Sequence, residues 1–296
     1  MGNLSAVRSL GILLLVSACG GGGNDTSFTA ANVQPVTVGP GPANNVNLLF
    51  TAVTICAPGS ASNCQDIDHV LVDTGSSGLR IFSSLLSPSL SLRQQTDAGN
   101  NPIVECGQFA VGYTWGPVKV ADIKIARELA SSVPIQVIAD PAFPAVPAAC
   151  SSTGPALDTA RALGANGVLG VGLFQQDCGI DCAQSANLGI YFICPLSGCQ
   201  AAQASLAQQV QNPVGMFTSN NNNGVIIDLP SVPAGGSPAV NGSLIFGIGT
   251  QGNNGPGNAQ VIPVDPNTGT FTTILSPFTY TNSFIDSGSN ALYFAY

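Results

Sequence analysis

Apolar residues in this chain come in short runs that end on glycine, proline or polar clusters. That is the punctuation of β-strands rather than of helices. Residues 46–55, Val-Asn-Leu-Leu-Phe-Thr-Ala-Val-Thr-Ile, are rich in β-branched and apolar side chains and predict a strand. A cysteine-bounded loop follows, then a strand over residues 69–72. Residues 109–125 form a long extended stretch, and within it residues 118–125 alternate with apolar residues on one face. Residues 166–173, Asn-Gly-Val-Leu-Gly-Val-Gly-Leu, are an apolar strand interrupted by glycines, which signals close approach of another backbone. A polar turn at 220–224 leads into a predicted strand over residues 225–229. Helical spacing is confined to residues 156–163, closed by Gly164, and to residues 205–210. Residues 24–45 are polar and aperiodic, and predict a linker.

Composition sharpens this into a mostly β protein. Of 296 residues only 7% are charged, whereas 35 are Gly and 21 are Pro, so few residues can decorate surface helices. The length suffices for two lobes with their own cores. A net charge of −8 and the lack of any basic patch argue against nucleic acid as a partner. At the N-terminus, Arg8 precedes an apolar core at residues 10–16 that is too short to span a bilayer. Val16-Ser17-Ala18-Cys19 then resembles the bacterial lipobox. That resemblance implies a signal peptide over 1–18, cleavage before Cys19 and lipidation of Cys19. The other reading is an ordinary signal peptide with an accidental cysteine. Residues 19–45 would form a flexible tether starting with Gly20–Gly23, and Gly20 after the cysteine looks like an outer-membrane destination. The membrane, through the lipidated Cys19, is then one expected partner.

Eight cysteines remain, an even number that suggests disulfides in an exported chain. Pairing by proximity gives Cys56–Cys64, Cys178–Cys182 and Cys194–Cys199, which leaves Cys106–Cys150. The sequence leaves the connectivity open. A zinc site from Cys178, Cys182, Cys194 and Cys199 is the competing reading, although the spacings do not fit a zinc ribbon.

The chemistry concentrates in one stretch and its echo. Val70-Leu71-Val72-Asp73-Thr74-Gly75-Ser76-Ser77-Gly78-Leu79 drives an aspartate from an apolar strand into a hydroxyl-lined glycine turn. Ser283-Phe284-Ile285-Asp286-Ser287-Gly288-Ser289-Asn290-Ala291-Leu292 repeats the design. Either motif alone is ordinary turn chemistry; as a pair they predict two halves of one site. Two carboxylates about 3 Å apart cannot both ionise, so they share a proton. One can then deprotonate a water while the other donates to a carbonyl oxygen, with no metal or cofactor. Gly75 and Gly288 permit the tight turns, and Thr74, Ser76, Ser287 and Ser289 supply hydrogen bonds that fix the dyad.

On these motifs the chain resembles the pepsin-like aspartic proteases, whose two lobes each give an apolar-apolar-Asp-Thr/Ser-Gly-Ser/Thr loop. Residues 166–173 look like the family's apolar-Gly segment behind the first aspartate. Residues 242–249 look like its Gly-Ser-apolar strand before the second, and residues 261–264 are similar to the strand after that. The resemblance covers roughly residues 46–296 and is closer still to uncharacterised bacterial lipoproteins carrying the same motifs. It implies a bilobal acid-protease fold with an N-terminal lobe over 46–212 and a C-terminal lobe over 213–296. That second lobe is expected to be truncated, because no second apolar-Gly segment follows Asp286 before Tyr296. It also implies catalytic roles for Asp73 and Asp286, a peptide or protein substrate, and a flap whose tyrosine is Tyr113. The flap pattern departs from the family: Gly116-Pro117 stands where its Gly-rich tip is expected, and Arg80 where its tryptophan partner falls.

Other chemistries fit less well. His69 is the only histidine and, on a strand four residues from Asp73, would lie ~13 Å away. No Gly-x-Ser-x-Gly elbow exists. Gly247-Ile248-Gly249-Thr250-Gln251-Gly252 matches a dinucleotide fingerprint, but Asn253-Asn254-Gly255-Pro256 cannot open the helix it needs. Two classes remain: an aspartic endopeptidase-like lipoprotein, and a non-catalytic envelope lipoprotein that uses the same fold for binding or structure.

Overall fold

The computed structural model describes residues 30–294. The leader 1–18, Cys19 and the Gly20–Gly23 stretch lie outside the described residues. The chain is mostly β, as the sequence pattern indicates.

The early strands are β1 (Val33–Gly39), β2 (Leu48–Cys56), β3 (Cys64–Asp73), β4 (Ser77–Phe82) and the short β5 (Arg93–Gln94). Then come β6 (Ile103–Phe109), β7 (Gly112–Ile125), β8 (Glu128–Ile138) and β9 (Gly167–Val171). Six of these close on themselves: β2 pairs β3, β3 pairs β9, β9 pairs β4, β4 pairs β8, β8 pairs β7, and β7 returns to β2. Closure leaves those strands without a free edge. The ring is filled by the residues the apolar runs supply, among them Val53, Ile55, Val70, Val72, Leu79, Ile81, Ile123, Ile135 and Leu169. Burying each such side chain contributes roughly 1.5–3 kcal/mol.

β9 is the keystone for the site. It lies between β3, to which it is parallel, and β4, to which it is antiparallel, directly behind the turn that joins them. The glycines predicted to need close approach do so. A Cβ on Gly170 would stand 2.7 Å from the Ser77 carbonyl carbon and 2.8 Å from that of Ser76. One on Gly172 would stand 2.6 Å from the Ser76 oxygen.

β7 changes partners midway. Its first half pairs with β6, from Phe109↔Gly112 to Val104↔Pro117, and from Val118 onward it pairs with β8. Gly116-Pro117 therefore sits at the handover between two sheets and not at a hairpin tip, which corrects the reading of it as a flap tip. The turn itself is Ala110-Val111. β10 (Tyr191–Ile193) and β11 (Gln200–Ala201) extend the β6 side.

Several further expectations are corrected. The linker read over 24–45 contains β1, which pairs with β2 and with β13 (Val240–Phe246). Its only fully buried apolar side chain is Val36, and Pro35 interrupts the run. The strand is made by a partner some two hundred residues away, which local pattern cannot reveal. β12 (Val225–Asp228) pairs with β13 and so joins the same sheet through β1. Residues 261–264 form no strand; Val261 is 83% exposed, and Pro263 lies in the middle of the run. Residues 205–210 form one turn, in which the Ser205 carbonyl accepts from the Gln208 and Gln209 amides. The helix read over 156–163 shortens to α2 (Ala160–Leu163), which follows α1 (Ala148–Ser151). Thr159 caps it and Gly164 ends it at φ 82°, while Leu157 gives its amide to the Tyr113 carbonyl instead. A last α-helix, α3, spans Ile180–Gln184. β14 (Phe271–Leu275) and β15 (Phe278–Ser283) form a separate hairpin that leads to the second aspartate.

All four disulfides expected from proximity form: Cys56–Cys64, Cys106–Cys150, Cys178–Cys182 and Cys194–Cys199. The zinc reading is thereby overturned, since its four sulfurs are paired with each other. Among the described residues no helix is long and apolar enough to cross a membrane.

Candidate active site

β3 ends in Val70 and Val72, which face the core, and Leu71, buried on the opposite face with Leu48, Phe50 and Ala165, and it carries the chain straight to Asp73. β9 runs parallel beside β3, and the chain turns at residues 74–76 into β4. Asp73 is left 6% exposed. Asp286 follows β15 through Phe284 and Ile285, which are 59% and 67% exposed, so its loop is far less enclosed.

The two loops meet. The position of a Cβ on Gly75 would be 2.9 Å from the Asp286 carboxyl carbon and 3.2 Å from Asp73 Oδ1. The position of a Cβ on Gly288 would be 2.8 Å from the Asp73 carboxyl carbon and 3.1 Å from Asp286 Oδ1. Any larger residue at either glycine would push a side chain into the carboxyl pair.

The hydrogen bonds repeat about a pseudo-twofold axis. The Thr74 amide donates to Ser287 Oγ at 3.1 Å, and the Ser287 amide donates to Thr74 Oγ1 at 2.9 Å. The Thr74 hydroxyl donates onward to the Ile285 carbonyl at 2.9 Å, and the Ser287 hydroxyl to the Val72 carbonyl at 2.7 Å. Each hydroxyl thus accepts from the opposite loop and donates to the residue before that loop's aspartate. Within each loop the glycine amide binds its own aspartate: Gly75 to Asp73 Oδ1 at 2.7 Å, and Gly288 to Asp286 Oδ1 at 2.8 Å. The outer oxygens accept from the Ser76 hydroxyl at 2.5 Å and the Ser289 hydroxyl at 2.6 Å. All eight motif residues named from the sequence are therefore brought together.

Electrostatically the pair is asymmetric. The Asp73 carboxyl is pushed up to about 6, first by burial and then by its hydrogen bond with Asp286 and the charge there. The Ser76 hydroxyl and the Gly75 amide pull the other way. Between pH 3.8 and about 6 the native state therefore holds a proton that an unfolded chain has released. Stability follows the difference in bound protons, so this contribution is complete below the unfolded value and is lost as pH rises through the folded one. The expected result is a melting temperature that falls over that window by the equivalent of up to about 3 kcal/mol. Asp73→Asn flattens that fall. Calorimetry at pH 4, 5, 6 and 7 on both proteins checks it, and equal slopes would contradict it.

Tyr113, expected as the flap tyrosine, is only 8% exposed. It is buried with Val104, Trp115 and Phe192 around the Cys106–Cys150 bridge. The segment 154–157 lies against it, with the Tyr113 amide bonded to the Pro155 carbonyl. Trp115 is likewise packing, its indole N–H donating to the Phe143 carbonyl at 2.9 Å. His69 is half exposed and its Nδ1 lies 3.2 Å from Asp68 Oδ2. The 247–252 segment is a loop, as its sequence context predicts.

Sequence reading missed a buried polar cluster beside the site. Arg80, Glu105, Asp177 and Tyr191 come together from β4, β6, the segment after β9, and β10. The available signal was a lone arginine inside Leu79-Arg80-Ile81, in a chain with only seven Lys and Arg.

Fold and site define a mostly β protein that presents two Asp-Thr/Ser-Gly-Ser loops face to face. The chain belongs to the family described as protein of unknown function DUF3443, whose model matches residues 28–296. Among solved structures it is similar to the aspartic proteinase from Irpex lacteus, at 16% identity and a TM-score of 0.44. That similarity covers 76% of this chain and spans half the length of the proteinase, 50%. Curated protein sequences gave no match.

Proposed function

We propose that the protein is an aspartic-type endopeptidase in which Asp73 and Asp286 form the catalytic pair. One observation carries the reading: two carboxyl groups held against each other by reciprocal Thr74 and Ser287 bonds. That is what sharing a proton requires. The ionised carboxylate takes a proton from a water between them, and the water oxygen attacks the peptide carbonyl carbon. The protonated carboxyl donates to the carbonyl oxygen. Collapse of the tetrahedral intermediate expels the amine, which takes the proton gained from water, while a gem-diol hydroxyl returns its proton to the other carboxylate and restores the singly protonated dyad. The raised Asp73 carboxyl makes it the partner that keeps the proton in the resting enzyme, although the pair titrates as a unit. A peptide or protein substrate follows from the reaction. The bilobal pepsin-like arrangement belongs to the same proposal, with the two loops as its seam.

The test is cleavage of a mixed peptide library from pH 3 to 7. Acid-favoured cleavage blocked by a statine-type inhibitor supports the reading, and no cleavage at any pH refutes it. One observation favours the second reading, a non-catalytic binding or structural module. Tyr113, the expected flap tyrosine, packs around the Cys106–Cys150 disulfide. Under that reading, wild-type protein and the Asp73→Asn/Asp286→Asn double variant treat the library identically.

The lipobox-like Val16-Ser17-Ala18-Cys19 supports anchoring of the protein in the bacterial cell envelope, in the outer membrane, by a lipid on Cys19. Detergent-phase partitioning should be lost in Cys19→Ser. Partitioning that survives the substitution would remove the anchor from the account.

A further inference from the structure

Arg80 lies 3% exposed on β4, between the buried apolar Leu79 and Ile81. Its guanidinium binds three parts of the chain at once. Nη1 donates to the Ser77 carbonyl at 2.9 Å, at the end of the Asp73 turn. Nε and Nη2 both donate to Glu105 Oε1 on β6, at 3.2 and 2.5 Å. Nη2 also reaches Asp177 Oδ2 at 3.2 Å, in the segment that follows β9. The Phe109 ring, at the end of β6, stands over the guanidinium at 5.6 Å. The shell around this core is polar and bonded. Tyr191 donates its hydroxyl to Asp177 Oδ1 at 2.6 Å and accepts the Val210 amide at 2.8 Å. Gln136 donates to the Glu105 carbonyl at 2.9 Å and accepts the Thr114 hydroxyl at 2.6 Å.

The charge count is unusual. One guanidinium faces two carboxyl groups in a site where Glu105 is fully buried and the Asp177 side chain is 7% exposed. Glu105 Oε2 is buried with no hydrogen-bond partner. A surplus negative charge there would be costly. One proton resolves it, held between the two carboxyls. Consistent with this, the Asp177 carboxyl is held well above the usual carboxylate range, by burial first and then by the neighbouring Glu105 charge, against the pull of Arg80.

We propose that Arg80, held by Glu105 and Asp177, is a positioning residue for the Asp73 loop. It ties the Ser77 carbonyl, and with it the Ser76 hydroxyl and Gly75 amide that bind Asp73, to the β6–β7 hairpin and the segment after β9. This rests on the peptidase reading for its consequence in catalysis, but not for its structural content. The titratable and charged groups that face the guanidinium are Glu105, Asp177 and Tyr191.

The test separates the two. The triple variant Arg80→Met/Glu105→Gln/Asp177→Asn removes one positive and one negative charge together with the shared proton, so the net charge of the cluster is unchanged. It also keeps acceptors for Tyr191 and for the Gln136 side chain. Carbon-13 NMR titration of Asp73 in the triple variant reads loop geometry without needing activity. The loosened loop weakens the Ser76 and Gly75 bonds that favour the Asp73 carboxylate, so its midpoint should rise by more than about half a pH unit. Amide exchange at Gly75 and Ser77 should quicken at least tenfold. An unchanged midpoint with unchanged exchange overturns the proposal, even if the protein proves to be a peptidase. Should Arg80→Met alone fail to fold while the triple variant folds, uncompensated buried charge is the cause and the triple variant decides. If peptidase activity is present, the triple variant should lose kcat about tenfold with KM nearly unchanged. A rise in KM alone would place Arg80 in substrate binding and overturn the positioning role.

Discussion

Asp73→Asn and Asp286→Asn should each reduce peptide cleavage by at least about a thousandfold while leaving the protein folded. Each amide keeps an oxygen to accept from the glycine N–H, Gly75 or Gly288, and turns its NH2 toward the serine hydroxyl, Ser76 or Ser289, which can accept as well as donate. What is lost is the shared proton: an amide can neither take a proton from water nor return one. Removing a group that acts in general acid–base catalysis typically costs 10²–10⁴, and here both roles pass through one pair, so the losses should not add. The double variant is therefore expected to be about as inactive as either single one. Steady-state cleavage of one library-derived peptide at pH 4 to 5 checks this. Two single variants that each retain a tenth or more of the wild-type rate would show that the carboxyls do not act as a unit.

The second large effect concerns stability. Cys106–Cys150 closes 44 residues of chain, whereas Cys178–Cys182 and Cys194–Cys199 close 4 and 5. In the chain-entropy account, the long bridge restricts the unfolded chain by about 4 kcal/mol and each short one by roughly half as much. Cys106 and Cys150 are also fully buried in the cluster that holds Tyr113 and Trp115, so their sulfurs pack as well as link. Cys106→Ala/Cys150→Ala should lower the melting temperature by on the order of 10 °C, and Cys194→Ala/Cys199→Ala by about half of that. Thermal unfolding followed by circular dichroism checks the ranking. A larger loss from the short bridge would mean that native packing, not loop closure, governs.

What was legible in the sequence was whatever a short stretch encodes by itself. The strands that deliver Asp73, the glycines of β9 and the eight residues of the two turns each announce their geometry locally. Apolar alternation needs a barrel interior, and a glycine inside an apolar strand needs a neighbour against it. The disulfides were legible for the same reason, since three of the four link cysteines already close in the chain. Misreadings cluster where a distant partner decides. β1 looks like a linker because its strand character comes from β13. Residues 261–264 look like a strand because three β-formers surround Pro263, yet no edge meets them. Gly116-Pro117 was read by position in a borrowed pattern, whereas β7 hands over from one sheet to another there. Arg80 stood out as an oddity, but its partners Glu105 and Asp177 come from elements that no spacing rule joins to it. Buried polar clusters of this sort are assembled by topology and leave little trace in periodicity.

Within the site, the unequal enclosure of the two loops has a chemical consequence. Val70 and Val72 are fully buried before Asp73, whereas Phe284 and Ile285 are exposed before Asp286. Desolvation is the first cause that raises the Asp73 carboxyl. Asp286 contributes through contact and charge.

That contact is measured most directly by carbon-13 NMR titration of the Asp73 carboxyl in the wild-type protein and in Asp286→Asn. Paired carboxyls predict a midpoint of about 6 in the wild type. They also predict a lower one in the variant, still above the ordinary carboxylate range because burial persists. An Asp73 midpoint that does not move when Asp286 loses its charge would mean that the two side chains share nothing.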